Sequence, residues 1–378
     1  MDDPRVMDED WPLLLSMMPS GWQELARETH ALKGLRRDKE AGTCLRILLL
    51  HLACGYSLRE TAIRAREAQL ADLSDVALLK RLRKSKNWLQ ALYCQLLKEQ
   101  ATLTRTVAGL SLRLIDGTVV REPGPTGSTW RIHYSLRWPQ LSCDYFELTA
   151  TEGKGNGESL THFPVQAGDH LLADRGYSNY ASVQHVAAHG AVVTVRLNPQ
   201  AVRLIDASQQ LFALHKKLRS INKTNQVGCW PVALTGAAGQ APVVGRLCVL
   251  RKSQAAIAKA RAAVMRTAIR KGRKLQPSTL LYAEYVMVFT TAPQSFTAQQ
   301  ILEIYRLRWQ IELVFKRFKQ LAQLGHLPKQ DDESSKAWLF GKLFVALLTE
   351  RLIQRAESFS PWGYDVAATP ESKPLARV

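Results

Sequence analysis

HLLADRGYSNYASVQHVAAHGAVVTVRL, residues 170–197, reads as a strand, a carboxylate, a helix and a second strand. HLLAD (170–174) is a short apolar run that ends in Asp174 and is followed by Arg175-Gly176-Tyr177. SNYASVQHVAAHG is helical and closes at Gly190, the residue best suited to the left-handed backbone just past a helix end. AVVTVRL (191–197) is rich in β-branched residues and is a strand. This alternation belongs to a mixed α/β sheet.

The flanks extend that sheet. Upstream, the pattern changes at about residue 106. SLRLIDGTVV (111–120) is a buried strand that meets Asp116 at its end, and WRIHYSLRW (130–138) and CDYFELTAT (143–151) alternate as two further strands. Three strands, then a strand, a helix and a strand, resemble an RNase-H-like core, its first part over residues 106–200. Downstream, residues 207–283 contain no Asp or Glu but carry 14 Lys or Arg, nine of them between Arg251 and Lys274. WPVALTG and VVGRLCVL are strands within this stretch, and a basic helix follows from about 253 to 272. YVMVFTT (285–291) resumes a buried core strand. Residues 201–283 are therefore expected to form a basic β-rich insertion, residues 284–327 the last core strand and helix, and residues 328–378 a C-terminal helix and tail. A surface free of carboxylates over this length binds phosphates without reading sequence. The alternative is an incidental basic excursion, which requires chance to remove every acid from 77 consecutive residues.

Residues 1–105 read as an all-helical domain. Gly55 and Tyr56 break one helix, and Ser57 with Glu60 is a capping-box signature for the next. Ser74 is an N-cap for VALLKRLRKSKNWLQALYCQLL, read as one helix. Short helices with Arg59, Arg64, Arg66, Lys80, Arg81, Arg83, Lys84 and Lys86 exposed resemble a helix-turn-helix-type DNA-binding bundle; an ordinary helical bundle with a charged surface is the alternative. The tail from Ser358 is polar and Pro-bearing and is expected to be disordered.

The chain has 378 residues, with 51 Lys or Arg against 33 Asp or Glu, a net charge of +18. Such a balance points to a polyanionic partner, most simply nucleic acid. Cys44, Cys54, Cys94, Cys143, Cys229 and Cys248 show neither a CxxC pair nor a disulfide spacing, so reduced thiols are expected. The acidic start MDDPRVMDEDW lacks the apolar core of a signal peptide. The apolar runs at 44–54 and 338–348 are too short to span a bilayer. A cytoplasmic, nucleoid-associated protein with no membrane partner is the expectation.

The candidate chemistry lies on YRLRWQIELVFKRFK, residues 305–319. At ~100° per residue, Tyr305, Arg308, Glu312 and Lys319 share one narrow helical stripe beside an apolar one of Ile304, Ile311, Phe315 and Phe318. Asp116 and Asp174 each end an apolar strand, where a lone carboxylate is costly to bury. Three acids drawn together imply a shared pair of Mg²⁺ or Mn²⁺ ions, two per active site, in an in-line phosphodiester displacement. The competing readings are a turn residue for Asp116, a helix N-cap for Asp174, and Asp169 as a rival acid. Trp309 is either a base-stacking or a packed aromatic, and Trp230 is a second stacking candidate.

Asp116 in IDGT, Asp174 in ADRGY and the set Tyr305-x2-Arg308-x3-Glu312-x6-Lys319 resemble the DDE transposases of the insertion-sequence 4 family, which carry a Y-(2)-R-(3)-E-(6)-K signature. The resemblance covers roughly residues 110–325. It implies that Asp116, Asp174 and Glu312 are catalytic metal ligands and that Tyr305, Arg308 and Lys319 contact phosphates near the cleaved element end. It implies cut-and-paste movement: water nicks one strand, the freed 3′-OH attacks the opposite strand to give a hairpin that water reopens, and the 3′-OH joins target DNA. Its partners would be double-stranded transposon ends and target DNA, bound by a homodimer. The alternatives are a catalytically inactive derivative that binds element ends and represses, and a related nuclease without strand transfer.

Overall fold

The computed structural model describes residues 6–34, 40–101, 111–121, 129–139, 141–153, 155–313, 316, 327 and 331–357. The chain divides into a helical unit (residues 1–102, 120–128 and 317–378) and a sheet unit (103–119 and 129–316).

In the helical unit, six helices run from the N-terminus: α1 (Val6–Leu15), α2 (Trp22–Glu28), α3 (Ala41–Leu52), α4 (Leu58–Glu67), α5 (Asp75–Lys84) and α6 (Lys86–Ala101). Gly55 adopts φ +75° between α3 and α4, as the break there requires. The Ser57 hydroxyl accepts from the Glu60 backbone N–H at 3.1 Å, but the Glu60 carboxylate turns to Arg64, so only half of the capping box forms. Ser74 caps α5 by accepting from the Ala77 N–H.

The single helix predicted after Ser74 is two helices. Ser85 ends α5, donating both its N–H and its hydroxyl to the Arg81 carbonyl, and the redirected chain buries Trp88 on α6. Arg81 is likewise buried rather than exposed, because it shares the inward stripe of Leu78 and Leu82. A long last helix, Asp332–Glu357, joins this bundle against α3, α5 and α6. Its Leu339 and Phe344 are fully buried, and Arg83–Asp331, Lys86–Glu333 and Arg351–Glu99 ion pairs rim the contact. The expected tail beyond Ser358 lies outside the described residues.

The sheet unit holds nine strands: β1 (Ser111–Arg121), β2 (Thr129–Arg137), β3 (Ser142–Ala150), β4 (Asp169–Ala173), β5 (Val192–Arg196), β6 (Arg203–Ile205), β7 (Val227–Thr235), β8 (Val243–Arg251) and β9 (Tyr285–Thr290). Their order is β3-β2-β1-β4-β5-β9-β8-β7-β6. β2 and β3 are antiparallel, β1, β4 and β5 are parallel, and every pair from β5 to β6 is antiparallel. A crossover helix, Tyr180–Ala188, links β4 to β5 as parallel pairing demands, and Gly190 follows it at φ +68°. The first five strands have the order of an RNase-H-like core, within a mixed α/β fold. The acid-free strands β7 and β8 continue this sheet by way of β9. The basic helix runs from Gln254 to Arg270, capped by Ser253. Sequence periodicity missed β6 and two short helices, α8 (Leu214–Arg219) and α10 (Pro277–Ala283), which are too brief to show a period; the crossover helix is α7 and the basic helix α9.

Under the start of β1 and β4 lies a buried square of charge. Arg113 contacts Asp144 at 3.0 Å and Asp169 at 3.1 Å, and Arg137 contacts the same two acids at 2.9 and 3.3 Å. Asp169 is therefore a structural acid, ion-paired and only 4% exposed, and not a rival for the site.

Candidate active site

The two aspartates are level because of strand register. Parallel β1 and β4 pair Leu114 with Leu172, and Asp116 and Asp174 each lie two residues further along. Adjacent strands are roughly 4.8 Å apart, and residues two apart share a face. The strand does not end at Asp116: β1 runs through the Asp-Gly pair to Arg121, so the turn reading fails. The Asp116 Oδ1 instead accepts from the Gly117 N–H at 2.9 Å. Asp174 precedes a short 3₁₀ turn, Arg175–Tyr177, but its carboxylate caps nothing. It accepts from the Tyr305 hydroxyl at 3.3 Å and faces Arg196 at 4.0 Å.

The third acid arrives on an interrupted helix. α11 (Ala298–Arg306) opens on a full capping box between Thr297 and Gln300. The predicted continuous helix over 305–319 is broken: residues 307 and 308 form a tight turn, and residues 309–313 resume as helix. The bonds from Leu307 to Ile304, Arg308 to Tyr305 and Ile311 to Arg308 all close over three residues rather than four. Angles summed at one helical pitch therefore do not carry across the turn. Tyr305 falls among Ile301 and Leu302 in the core, 8% exposed, with only its hydroxyl reaching Asp174. The resumed segment is tied to β2, where the Tyr134 hydroxyl donates to the Ile311 carbonyl at 2.9 Å. Glu312 stands there half-exposed, bound at 2.5 Å by the largely buried Arg308. Trp309 is 50% exposed. Trp230 packs on Phe212 as part of the core. Phe315, Phe318 and Lys319 lie outside the described residues.

Electrostatics joins the three acids. Burial pushes the Asp116 carboxyl up to about 6; Asp174 and Glu312 push the same way, while the Gly117 N–H and Arg308 oppose. Burial works against the Arg308 charge, but Tyr305, Glu312 and Asp174 together hold its proton above the ordinary arginine range. The Tyr305 hydroxyl is raised by burial and by Asp174. Arg308 and Arg196 offset the negative charge of the acids only in part, and their hard oxygen donors suit a divalent cation. Among the described residues, no three His, Cys, Asp or Glu side chains already converge on one point, and Glu312 is turned onto Arg308.

Tyr177, in the RGY that follows Asp174, is 1% exposed, and its hydroxyl has no hydrogen-bond partner among the described residues. It sits so close to Gly117 that a Cβ there would lie 3.0 Å from the phenolic oxygen, a contact that only a shift of the ring would relieve. Burial and the charge of Asp116 raise its pKa.

A stability consequence follows from Asp116. Its folded-state pKa lies above the unfolded value, so the native protein holds the extra proton between about pH 4 and 6. The contribution is fully present below that window and is lost as pH rises through it. Without metal at pH 7.5, Asp116→Asn is expected to be more stable than the parent by about 1–2 kcal/mol, after discounting for water access. The melting temperature should rise by several degrees at pH 7.5, and the two proteins should coincide near pH 4. An unchanged or lower value at pH 7.5 would remove the charge cluster.

Fold and site together define an RNase-H-like protein with Asp116 and Asp174 level on adjacent parallel strands and Glu312 coupled to them through charge. Residues 150–348 match the family model described as Transposase DDE domain. The chain belongs to the DDE transposase family, within the insertion-sequence 4 group. It is 33% identical over 365 residues to the InsL protein of insertion sequence element IS186A in Escherichia coli (strain K12), covering 93% of this chain and 96% of that protein. It is 33% identical to the transposase for IS421 of Escherichia coli, at the same coverage. The transposase for IS231C of Bacillus thuringiensis subsp. berliner is 22% identical, over 92% of this chain and 79% of that protein.

Proposed function

We propose that this chain is a DNA transposase that cuts and joins phosphodiester bonds at the terminal inverted repeats of an insertion sequence, with Asp116, Asp174 and Glu312 as its catalytic acids. One observation carries the reading: strand register sets Asp116 level with Asp174, and the charge of Glu312 reaches the same point. The three acids would hold two Mg²⁺ or Mn²⁺ ions, which when bound activate the attacking oxygen and stabilise the leaving one.

The chain's own residues do the rest. Tyr305 fixes the Asp174 carboxylate from the core side. Arg308 holds the Glu312 carboxylate, and its planar fork is also suited to a phosphate. Trp309 is exposed beside them and suits stacking on an unpaired base. Lys319 is the remaining phosphate contact of the signature. DNA is a partner that the net charge of +18 suits, and a homodimer would form on the paired element ends. No helix among the described residues is long and apolar enough to cross a membrane.

The test is incubation of the purified protein with a labelled element end and Mg²⁺, followed by a denaturing gel. Nicked ends, then joined products on adding target DNA, are the expected result. Nicks without joining would leave a nuclease, and binding without nicks an inactive derivative that represses. Arg308→Ala is expected to weaken end binding by about 1–2 kcal/mol and to reduce the slope of log affinity against log salt by about one. An unchanged slope in a gel-shift series would take Arg308 off the DNA.

A further inference from the structure

We propose that Cys229 and Cys248 form an oxidisable dithiol, a modification site that converts between two thiols and a cross-strand disulfide on the sheet face that carries α11. The two residues are direct partners on antiparallel β7 and β8, and their sulfurs are 3.9 Å apart. Directly opposed antiparallel residues have Cα separations of roughly 4.5–5.5 Å, inside the range a disulfide spans. The sulfurs need only close the gap between them, with the strands kept in register.

The pair is also asymmetric in the way such chemistry needs. Cys229 is exposed and Cys248 fully buried. The two thiols share a hydrogen bond in which either can donate, and Arg246 lies beside them; that contact pulls the Cys229 thiol below its ordinary range, and the same contact with burial pushes Cys248 above. Both cysteines lie in the stretch that contains no acid, which adds nothing to oppose a thiolate. Cys54 is the natural comparison. It is equally open to solvent, but burial of part of its surroundings raises its thiol. Cys44 is buried and pushed up to about 11.

The co-reactant is a peroxide. The Cys229 thiolate attacks one peroxide oxygen, the O–O bond breaks, and the leaving hydroxide takes a proton to become water, giving a sulfenic acid at Cys229. The Cys248 sulfur then attacks the Cys229 sulfur and the S–O bond breaks. The departing hydroxide takes the Cys248 proton, and the S–S bond forms. Two thiols lose two electrons and one peroxide becomes two waters.

The consequence reaches the active site through packing. Cys248 lies in one cluster with Ile301, Leu302 and Tyr305 of α11. Drawing its sulfur toward β7 removes atoms from beneath that helix, whose Tyr305 hydroxyl holds Asp174. Oxidation is therefore expected to lower DNA cleavage; this last step rests on the function proposed above, whereas the disulfide itself does not.

The experiment treats the reduced full-length protein with a few equivalents of hydrogen peroxide, alkylates it, and maps it by mass spectrometry without reduction. A Cys229–Cys248 linked peptide should form about tenfold or more faster than any oxidation of Cys54. In Cys248→Ser, dimedone should trap a sulfenic acid at Cys229; in Cys229→Ser, no linked peptide and no adduct at Cys248 should appear. Oxidation of Cys54 at an equal or greater rate, or failure to find the linked peptide, overturns the site. Peroxide should also lower cleavage in the parent but not in Cys229→Ser, and full cleavage by the disulfide form overturns the coupling to α11. A reduced protein that never cleaves, yet yields the linked peptide, would instead count against the proposed function alone.

Discussion

Asp116→Asn, Asp174→Asn and Glu312→Gln are each expected to lower strand cleavage by roughly 10³-fold or more while leaving DNA binding within about threefold of the parent. Each change keeps the side chain's shape and removes only its charge. Asp116 still accepts the Gly117 N–H as an amide, Asp174 the Tyr305 hydroxyl, and Glu312 the Arg308 fork. Removing a negative charge that faces a phosphate cannot weaken electrostatic attraction to DNA, so binding has no reason to fall. On the proposed metal-dependent reading, cleavage depends on the negative oxygens themselves, because an amide is a poor ligand for a hard divalent ion. The measurement pairs a denaturing gel with a gel shift on the same labelled end. Cleavage at near-parent rates by any one variant would exclude that acid, and loss of binding together with cleavage would point to a structural role. The metal-free melting curve of Asp116→Asn serves as the folding control, since its expected rise cannot come from an unfolded protein.

Much of this site was readable because its parts obey local rules. The run AVVTVRL after a helix closed by Gly190 could be little but a covered strand, and that strand fixes where β4 and Asp174 stand. Asp116 was readable as an acid on a buried strand, although β1 continues past it; an Asp-Gly pair signals a turn locally, and only pairing in the sheet overrides that signal. The spacing of Tyr305, Arg308 and Glu312 pointed to one place, but for a different geometric reason. A regular helix would have set the three along a stripe. The structure instead buries Tyr305, turns at residues 307 and 308, and brings Arg308 back onto Glu312. No single residue in RLRWQ announces that turn, since none is Gly or Pro. The burial of Tyr177 against Gly117, with a hydroxyl that has no partner among the described residues, is likewise not expressed by spacing. The partnership of Arg113 with Asp144 and Asp169 joins three strands that are distant in the chain, and nothing in their local patterns reveals it.

That buried square carries the largest expected effect on folding. Arg113→Ala should destabilise the sheet unit by about 3–5 kcal/mol, because two carboxylates would be left buried with Arg137 as their one cation. Arg113 is 2% exposed and also donates to the Pro164 carbonyl at 2.6 Å and the Ser135 hydroxyl at 2.9 Å, so truncation orphans acceptors as well as charges. For a unit of this size the melting temperature should fall by roughly 10 °C. Arg113→Lys should fall between parent and Ala: it keeps the charge but cannot serve two acids and a carbonyl with one ammonium. Pairing of Ser111 with Asp169 lies beside the square, and the same register places Asp116 and Asp174 level five residues further along. An Arg113→Ala protein still folded at low temperature should therefore lose cleavage more than its end binding, because slack in that register moves one aspartate relative to the other. A melting temperature within about 2 °C of the parent would mean that the four charges contribute no net stability, and the alignment of Asp116 with Asp174 would then have to come from the strand ladder alone.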